Sequence, residues 1–235
     1  MKFKKPENCQ FDESTIPNME ALNYCFSQLT YKRNCIDAGG HIGTVSRILA
    51  NNFNHVYSFE PLFAKYLKQN TTDKNNITIY DVGLGNEKTS EKIYIHPTNS
   101  GGSTIVEHTR KGVKNFESKE IPIHKLDDYN IKKIDFIKID VESYEWHVIK
   151  GAHQTLENQK PLLMIELMMR YQDSKRSVTL THNYLVKNLG YRLIKMFNED
   201  WVYSHPESIN EKAKRWPLAG SKPEQKQRWP YIRTL

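Results

Sequence analysis

The amino-acid sequence predicts an α/β fold: an open sheet of seven mostly parallel strands, with helices on both faces and a small β insertion. Three observations predict it. A glycine-rich segment, residues 34–43, joins an apolar run to an apolar helical pattern. Strands then alternate with helices as far as residue 82 and again from residue 134, and this alternation favours right-handed crossovers between parallel strands. Two last strands flank a short polar turn at 198–200, which indicates an antiparallel hairpin.

The predicted elements divide the chain into three parts. A helix over 18–29 lies in an N-terminal helical flank, residues 1–33, and a basic tail containing tryptophan covers 205–235. The core, residues 34–204, carries an insertion at about 90–125. Apolar periodicity predicts its strands at 34–37, 55–60, 77–82, 134–140, 162–167, 191–196 and 201–204, its helices at 44–51, 62–70, 144–157 and 178–188, and two insertion strands at 91–96 and 119–124.

Composition excludes several classes of protein. The mean hydropathy is −0.70, and no apolar run approaches the roughly 18–20 residues that a membrane helix requires. The basic first residues are not followed by the apolar segment of a secretory signal. Cys9, Cys25 and Cys35 form no Cys-x-x-Cys pair, which argues against a zinc site or a disulfide framework. We therefore expect a cytosolic protein.

The positive charge is concentrated in the tail. Residues 205–235 contain seven lysines and arginines and three glutamates, so they supply +4 of the chain's +7. The core is only mildly basic and does not require a nucleic-acid groove. The tail also contains Arg-Trp-Pro twice, at 215–217 and 228–230. These tryptophans could bind a partner, another subunit or a substrate, or they could pack against the chain's own domain.

The glycine-rich turn is the first candidate ligand site. Its spacing, Asp37-x-Gly39-x-x-x-Gly43, matches neither the dinucleotide-binding fingerprint nor the phosphate-binding P-loop. In an open parallel sheet such a turn lies at the carboxyl end of a strand, where ligands bind. An acid before the glycines suits a ligand with both ammonium and carboxylate groups, such as the amino-acid end of S-adenosylmethionine. Gly40 and His41 complete the candidate contacts. The alternative is that these glycines only satisfy backbone geometry.

Two further groups of acids end predicted strands. Glu60 closes the second strand, 23 positions after Asp37, where a carboxylate can accept hydrogen bonds from both hydroxyls of a ribose. Asp140 and Glu142 follow the fourth strand, and Glu145 comes one helical turn later. The carboxyl ends of parallel strands share one edge of the sheet, so these acids are predicted to gather around one ligand site.

Several of these segments recur in a known family. They are residues 36–43, Phe59-Glu60-Pro61, Leu126-Asp127, residues 134–142, Glu145, Lys150-Gly151-Ala152 and Ile165-Glu166. In order and spacing this set resembles the FkbM-type S-adenosylmethionine-dependent methyltransferases. The resemblance runs from about residue 35 to 167 and omits the first helix and the tail. Gly40-His41 stands where that family usually has Ala-Asn, and Ser143-Tyr144 where it usually has Gly-Ala. The second difference alters the floor of the expected substrate pocket.

The resemblance implies a Rossmann-like class I methyltransferase fold and methyl transfer, most often to a hydroxyl of a sugar or natural product. Asp37, Gly39, Gly43 and Glu60 would hold S-adenosylmethionine, with Asp81 and Val82 near its adenine. Asp140 and Glu142 would face the acceptor.

An alcohol acceptor must lose a proton, for which the sequence offers several routes. Asp140 or Glu142 could take it directly, or Asp140 and Glu166 could hold Mg²⁺. Ser103 and Thr104, in the polar loop of the insertion, are candidates to line the acceptor pocket. Four histidines are alternative bases: His41, His108, His124 and His147.

Two other functions stay open. One is methylation of an RNA backbone hydroxyl, prompted by the basic tail. The other is a non-catalytic subunit that keeps the fold and binds a protein partner through the tail. The preferred hypothesis is an O-methyltransferase that acts on a carbohydrate or related small hydroxylated molecule. The tail is a candidate surface for oligomerisation.

Overall fold

The computed structural model describes residues 3–7, 9, 18–106, 116–169 and 172–208. His108 and the Arg-Trp-Pro segments of the tail lie outside these residues, so the predictions made for them stay predictions. The described helices are α1 Met19–Gln28, α2 Thr44–Ala50, α3 Ala64–Asn70, α4 Glu145–Gly151, α5 His153–Gln159 and α6 Gln172–Asn183. The strands are β1 Asn34–Ala38, β2 His55–Phe59, β3 Ile77–Tyr80, β4 Gly83–Leu84, β5 Thr89–Ile95, β6 Glu117–His124, β7 Ile134–Ile139, β8 Leu162–Glu166, β9 Arg192–Phe197 and β10 Asp200–Ser204.

The predicted fold class is confirmed. Seven strands form one sheet in the order β3-β2-β1-β7-β8-β10-β9. The first five of these strands are parallel, and β10 runs antiparallel to both neighbours. The strand order reverses between β1 and β7, because β2 and β3 lie to one side and β8 to the other. Ligands of open α/β sheets bind at such a reversal, beyond the carboxyl ends of the strands.

Both faces of the sheet are covered. All six residues of β7 are buried, as expected of a central strand with helices on each side. Phe136 packs with Leu22 and Phe26 of α1 on one face. Ile137 packs with Ile149 of α4 on the other face. Because successive side chains of β7 point to opposite faces of the sheet, this strand contributes to both apolar layers.

The insertion forms a separate sheet of three strands in the order β4-β6-β5. Its small core consists of Ile93, Ile121 and Ile123, with Leu62 and Ile105 packed against it. This second sheet provides a wall for the site described below.

Several predicted element bounds were wrong, among them the following three. The helix expected over 144–157 is two helices, α4 and α5. At Gly151, where α4 ends, a β-carbon would lie 1.8 Å from the carbonyl oxygen of Gly85, so close backbone approach requires glycine there. The third strand ends at Tyr80 rather than residue 82. The helix predicted over 178–188 begins at Gln172, and residues 184–188 form a π-helical turn.

Cys9, Cys25 and Cys35 are buried and free of disulfides. Within the described ranges, every helix is too short or too polar to cross a lipid bilayer. The cytosolic location stays a prediction from the sequence.

Candidate active site

The glycine turn after β1 is shaped by the protein's own packing. Gly39 has a φ of +89°, and a β-carbon there would lie 1.9 Å from the carbonyl oxygen of Asp140. At Gly40 a β-carbon would lie 2.2 Å from Ser58 Oγ. Gly43, with a φ of +95°, is the N-cap of α2. Backbone geometry alone therefore accounts for these glycines, and other residues must indicate what the turn binds.

Asp37 lies beneath the turn. Its side chain is fully buried, and its Oδ2 accepts a 2.5 Å hydrogen bond from Ser46 Oγ. No described residue offers a hydrogen bond to Oδ1. Burial raises the pKa of this carboxyl, and the nearby Lys138 ammonium and Ser46 hydroxyl oppose that rise. Asp37 thus supports the turn from inside the sheet.

Glu60 connects the turn to the loop that follows β2. Its Oε1 accepts hydrogen bonds from the backbone N–H groups of Leu62 (2.7 Å) and Phe63 (2.8 Å). Its Oε2 accepts one from the His41 N–H at 2.9 Å. Burial raises the pKa of the Glu60 carboxyl, and these three hydrogen bonds act in the opposite direction. The carboxylate therefore fixes two loops and also lines a cleft.

His41 lies between the turn and the insertion. It has a φ of +47°, its Nε2 lies 2.9 Å from Ser100 Oγ, and its ring packs edge-on against Phe63. Burial lowers the pKa of His41 to about 4, although Asp140 opposes the change. The imidazole is therefore neutral and weakly basic at neutral pH.

Three carboxylates gather at the ends of β7 and β8. Asp140, Glu142 and Glu166 each offer an oxygen within 4.8 Å of the others. Beside them, Lys138 Nζ lies 2.7 Å from Asp140 Oδ2, and its side chain is 5% exposed. Burial alone would lower the pKa of Lys138, but Asp140 and Asp37 raise it overall. The site therefore contains a permanent ammonium.

Asp140 and Glu166 differ in their protonation states. Burial would raise the pKa of Asp140, but Lys138 and a hydrogen bond with Glu166 hold it below its usual value. Burial, followed by the charges of Asp140 and Glu142, raises the pKa of Glu166. Asp140 is thus the ionised member of the pair, and Glu166 keeps its proton at neutral pH.

The loop that carries these acids has an unusual backbone. Glu142 and Ser143 both have positive φ, +54° and +78°. Glu145 Oε1 accepts hydrogen bonds from the N–H groups of Ser143 (3.0 Å) and Val141 (3.3 Å). Thr104 Oγ1 donates to the Glu142 carbonyl at 2.7 Å. Burial, with a contribution from Asp140, raises the pKa of Glu145 to about 7. Glu145 and Thr104 therefore hold the loop in place.

Two clefts meet at this site. The first cleft encloses about 1050 Å³ of empty space, part of it open to solvent, between the turn and the small sheet. Its distinctive lining residues are Phe59, Glu60, Phe63, Leu84, Ile93, Ile121, Ile123, Val141 and Tyr144. The second cleft, about 1390 Å³, lies over β7, β8 and the β9–β10 hairpin. Its distinctive lining residues are Asn18, Gly40, Thr44, Val45, Lys138, Met164, Glu166, Phe197, Asn198, Glu199 and Asp200. Both clefts are lined by Gly39, His41, Asn99, Gly101, Asp140 and Glu142.

Other predicted residues lie apart from this junction. Asp81 forms an exposed ion pair with Lys68 at 2.7 Å, and Val82 packs against the core. Neither residue lines the first or the second cleft. His124 Nδ1 lies 2.8 Å from the Tyr129 hydroxyl.

The remaining candidates differ in their relation to the clefts. His147 stacks on Tyr144 and lines neither cleft. Ser103 lines the first cleft, whereas Thr104 reaches only the loop behind it.

Sequence reasoning overlooked Lys138. A signal was available, because this lysine interrupts a buried apolar strand and therefore needs a buried negative partner. Asn99 was also missed, whereas Gly101 was placed in the polar loop of the insertion without being named as a site residue. They belong to an irregular loop whose path the sequence pattern does not define.

Comparisons with known proteins agree with this geometry. The sequence profile described as Methyltransferase FkbM domain matches residues 37–193. Methyltransferase 1 of the fungus Beauveria bassiana is 22% identical over 196 residues, which make up 71% of this chain and 75% of that protein.

Two solved structures show the same fold. The crystal structure of Methyltransferase FkbM from Methylobacillus flagellatus KT has a TM-score of 0.50 and 20% identity over 77% of this chain. The chain spans 48% of that protein, about half its length. A putative rRNA-methylase from Clostridium thermocellum has a TM-score of 0.50 and 11% identity, with 80% of this chain and 95% of that one covered.

The profile match extends over more than half of the sequence and includes the turn, Glu60 and the acids after β7 and β8. The chain therefore belongs to the FkbM methyltransferase family.

Proposed function

We propose that this chain is an S-adenosylmethionine-dependent O-methyltransferase whose acceptor is a sugar or a related small hydroxylated molecule. The observation that carries the proposal is the meeting of two clefts at Gly39, His41 and Asp140, beside the reversal in strand order between β1 and β7. One cleft can hold a methyl donor and the other an acceptor, with the reacting groups at the junction.

The lining of the first cleft suits a nucleoside. Glu60 presents a carboxylate that can accept from a ribose diol, while Phe63, Leu84 and Ile123 supply an apolar wall for a base. Gly39 and His41 would contact the amino-acid end, and Asp37 would support the turn below. When bound, S-adenosylmethionine supplies an electrophilic methyl group on a sulfonium. A contact of Asp81 or Val82 with the adenine stays a prediction.

The second cleft suits the acceptor. Asp140 is ionised beside Lys138, so its carboxylate can accept the proton that an acceptor hydroxyl loses. Glu142 is the second candidate for that role. Displacement at a methyl group requires an in-line approach, so orientation of the acceptor by the cleft walls provides much of the acceleration.

The charge of the second cleft favours an acceptor without phosphate. Its lining contains five carboxyl residues, Asp140, Glu142, Glu166, Glu199 and Asp200. Lys138 is the single lysine or arginine among its described lining residues. Phosphates would be repelled there, which disfavours RNA despite the basic tail. A non-catalytic subunit is disfavoured because Glu60 lines the first cleft and the Asp140 carboxylate lines both.

A mechanism that uses bound Mg²⁺ is the alternative to proton transfer by Asp140 alone. Asp140 and Glu166 would be its ligands, and carboxylate oxygens are the donors that Mg²⁺ prefers. The fit is poor, because Asp140 Oδ2 already pairs with Lys138 and Glu166 keeps a proton. No step of the proposed reaction therefore depends on a metal.

Calorimetric titration with S-adenosylmethionine tests the first cleft. We expect wild-type protein to bind and Glu60→Gln to weaken binding by about 10–100-fold, the effect of losing hydrogen bonds to a charged acceptor. Glu117→Ala, an exposed change on β6, is the matched control and should leave binding unchanged. Absence of binding by a folded wild-type protein would refute the proposal.

Transfer of a radiolabelled methyl group tests the second cleft. Neutral sugars, phosphorylated sugars and RNA are offered as acceptors to wild-type protein and to Asp140→Asn. We expect labelling of neutral hydroxylated acceptors and its loss in Asp140→Asn. Labelling of RNA alone would establish the rival function.

A further inference from the structure

Lys138 has an environment that is unusual for a lysine. It lies in β7, between the buried residues Ile137 and Ile139, and its side chain is 5% exposed. Its Nζ lies 2.7 Å from Asp140 Oδ2. A buried ammonium is costly unless it is paired. Its pairing with Asp140 at the cleft junction therefore indicates that the ammonium has a role in the site.

The strand register places Lys138 between the two halves of the site. Lys138 is the Cα partner of Asp37 on β1 and of Met164 on β8. Paired residues of neighbouring strands point to the same face of a sheet. The ammonium therefore belongs to the same polar row as Asp37, beneath the turn, while its contact with Asp140 reaches into the second cleft.

The same ammonium lies beside the three carboxylates that could otherwise hold a metal ion. Asp140, Glu142 and Glu166 have oxygens within 4.8 Å of one another. A divalent cation in this cluster would need to share Asp140 with an ammonium 2.7 Å from its Oδ2. Two positive charges bound to the same partly buried carboxylate repel each other strongly. The lysine and the metal ion are therefore alternatives.

We propose that the Lys138 ammonium is the resident cation of the Asp140, Glu142 and Glu166 cluster, and that it positions the Asp140 carboxylate toward the acceptor without a divalent metal. The inference rests on the proposed function for its catalytic consequence. Its structural claim, that Lys138 excludes a metal ion from the cluster, stands separately. Lys138 acts through Asp140 and is thus a positioning residue.

The test measures binding of Mn²⁺ by electron paramagnetic resonance, because Mn²⁺ is a spectroscopic probe for magnesium sites. We expect no Mn²⁺ at this cluster in wild-type protein or in Lys138→Arg. Lys138→Met should gain one bound Mn²⁺, which Asp140→Asn in the same background removes. Binding of Mn²⁺ by the wild-type cluster, lost in Asp140→Asn alone, would overturn the inference.

Kinetics provide the second readout. Wild-type activity should be unchanged by EDTA. Lys138→Met should lower kcat by about 100-fold, comparable to the loss of one preorganised polar group, with little change in affinity for S-adenosylmethionine. Lys138→Arg should recover part of kcat, and the exposed change Lys119→Met is the control. Loss of wild-type activity in EDTA with recovery in Mg²⁺, or wild-type kcat in Lys138→Met, would refute the assignment.

These readouts separate the two proposals. Failure of folded wild-type protein to bind S-adenosylmethionine would refute the proposed function, whereas the Mn²⁺ measurement would still decide whether the carboxylate cluster binds a divalent cation. If Lys138→Met does not fold, wild-type protein and Lys138→Arg still give a decisive Mn²⁺ result.

Discussion

Ser143 occupies a position that suits glycine better. Its φ of +78° is in the left-handed region, which costs a residue with a β-carbon about 1–2 kcal/mol. The residue is 8% exposed, and no described residue offers its Oγ a hydrogen bond. A buried hydroxyl without a partner costs about 1–3 kcal/mol. We therefore expect Ser143→Gly to stabilise the protein.

The expected magnitude combines two gains and one loss. Relief of backbone strain and removal of the buried hydroxyl each contribute about 1 kcal/mol. The greater conformational freedom of glycine in the unfolded chain offsets about 0.5–1 kcal/mol of this stabilisation. The free energy of unfolding should therefore rise by about 1–1.5 kcal/mol, which corresponds to an increase in Tm of about 2–6 °C for a domain of this size.

Urea and thermal unfolding, followed by circular dichroism, measure this change. Ser143→Ala removes the hydroxyl but keeps a β-carbon at the same φ, so it should gain only the hydroxyl contribution. Lys133→Gly, at an exposed position with a φ of +57°, measures relief of strain minus the cost of the greater freedom of glycine, with no buried hydroxyl involved. If Ser143→Gly is no more stable than wild-type protein, the reasoning fails. A glycine variant less stable than the alanine variant by about 0.5–1 kcal/mol, the cost of the greater freedom of glycine, would show that the strain contribution is absent.

Three further changes probe the fold around the site. Gly39→Ala should lower the free energy of unfolding, measured in urea, by about 3 kcal/mol, because the β-carbon of the alanine would meet the Asp140 carbonyl. A loss smaller than about 1 kcal/mol would contradict this steric argument. Burial raises the pKa of Glu145 from 4.5 to about 7, so its folded state binds the proton more tightly and stability falls as pH rises through that interval. Relative to wild type, the free energy of unfolding of Glu145→Gln, measured in urea, should rise by up to about 3 kcal/mol between pH 4.5 and 8. A difference independent of pH would show that the raised pKa of Glu145 is not the cause. Arg33→Met should cost about 3–5 kcal/mol in the same assay because Asp135, 1% exposed, would lose its pairing at 2.6 Å; equal unfolding midpoints would refute it.

The fold was predictable because its signals are local and periodic. Strand and helix types were correct through most of the core, since apolar residues recur at the period of each element. One error lies beside a close approach of distant backbone. Gly151, where the predicted helix divides into α4 and α5, packs against Gly85, a residue far away in the sequence. No property of the segment around Gly151 reveals that approach.

The candidate site was predictable in composition but not in arrangement. Asp140, Glu142 and Glu166 were recognised because each lies at the end of a predicted strand. Their unequal protonation was not foreseen, because it depends on burial and on Lys138. The sequence likewise suggested direct contact of Asp37 with a ligand, whereas the structure buries its carboxylate under the turn.

The sequence by itself determined the class of fold, the turn after β1 and the family to which these segments belong. Hydrophobic period, glycine spacing and acids at strand ends are properties that a chain carries without folding. Only the tertiary structure decided which charges are compensated and where the clefts meet. Lys138 illustrates the difference, because the energetic role of a charge depends on its partners and on exclusion of water, and packing alone defines both.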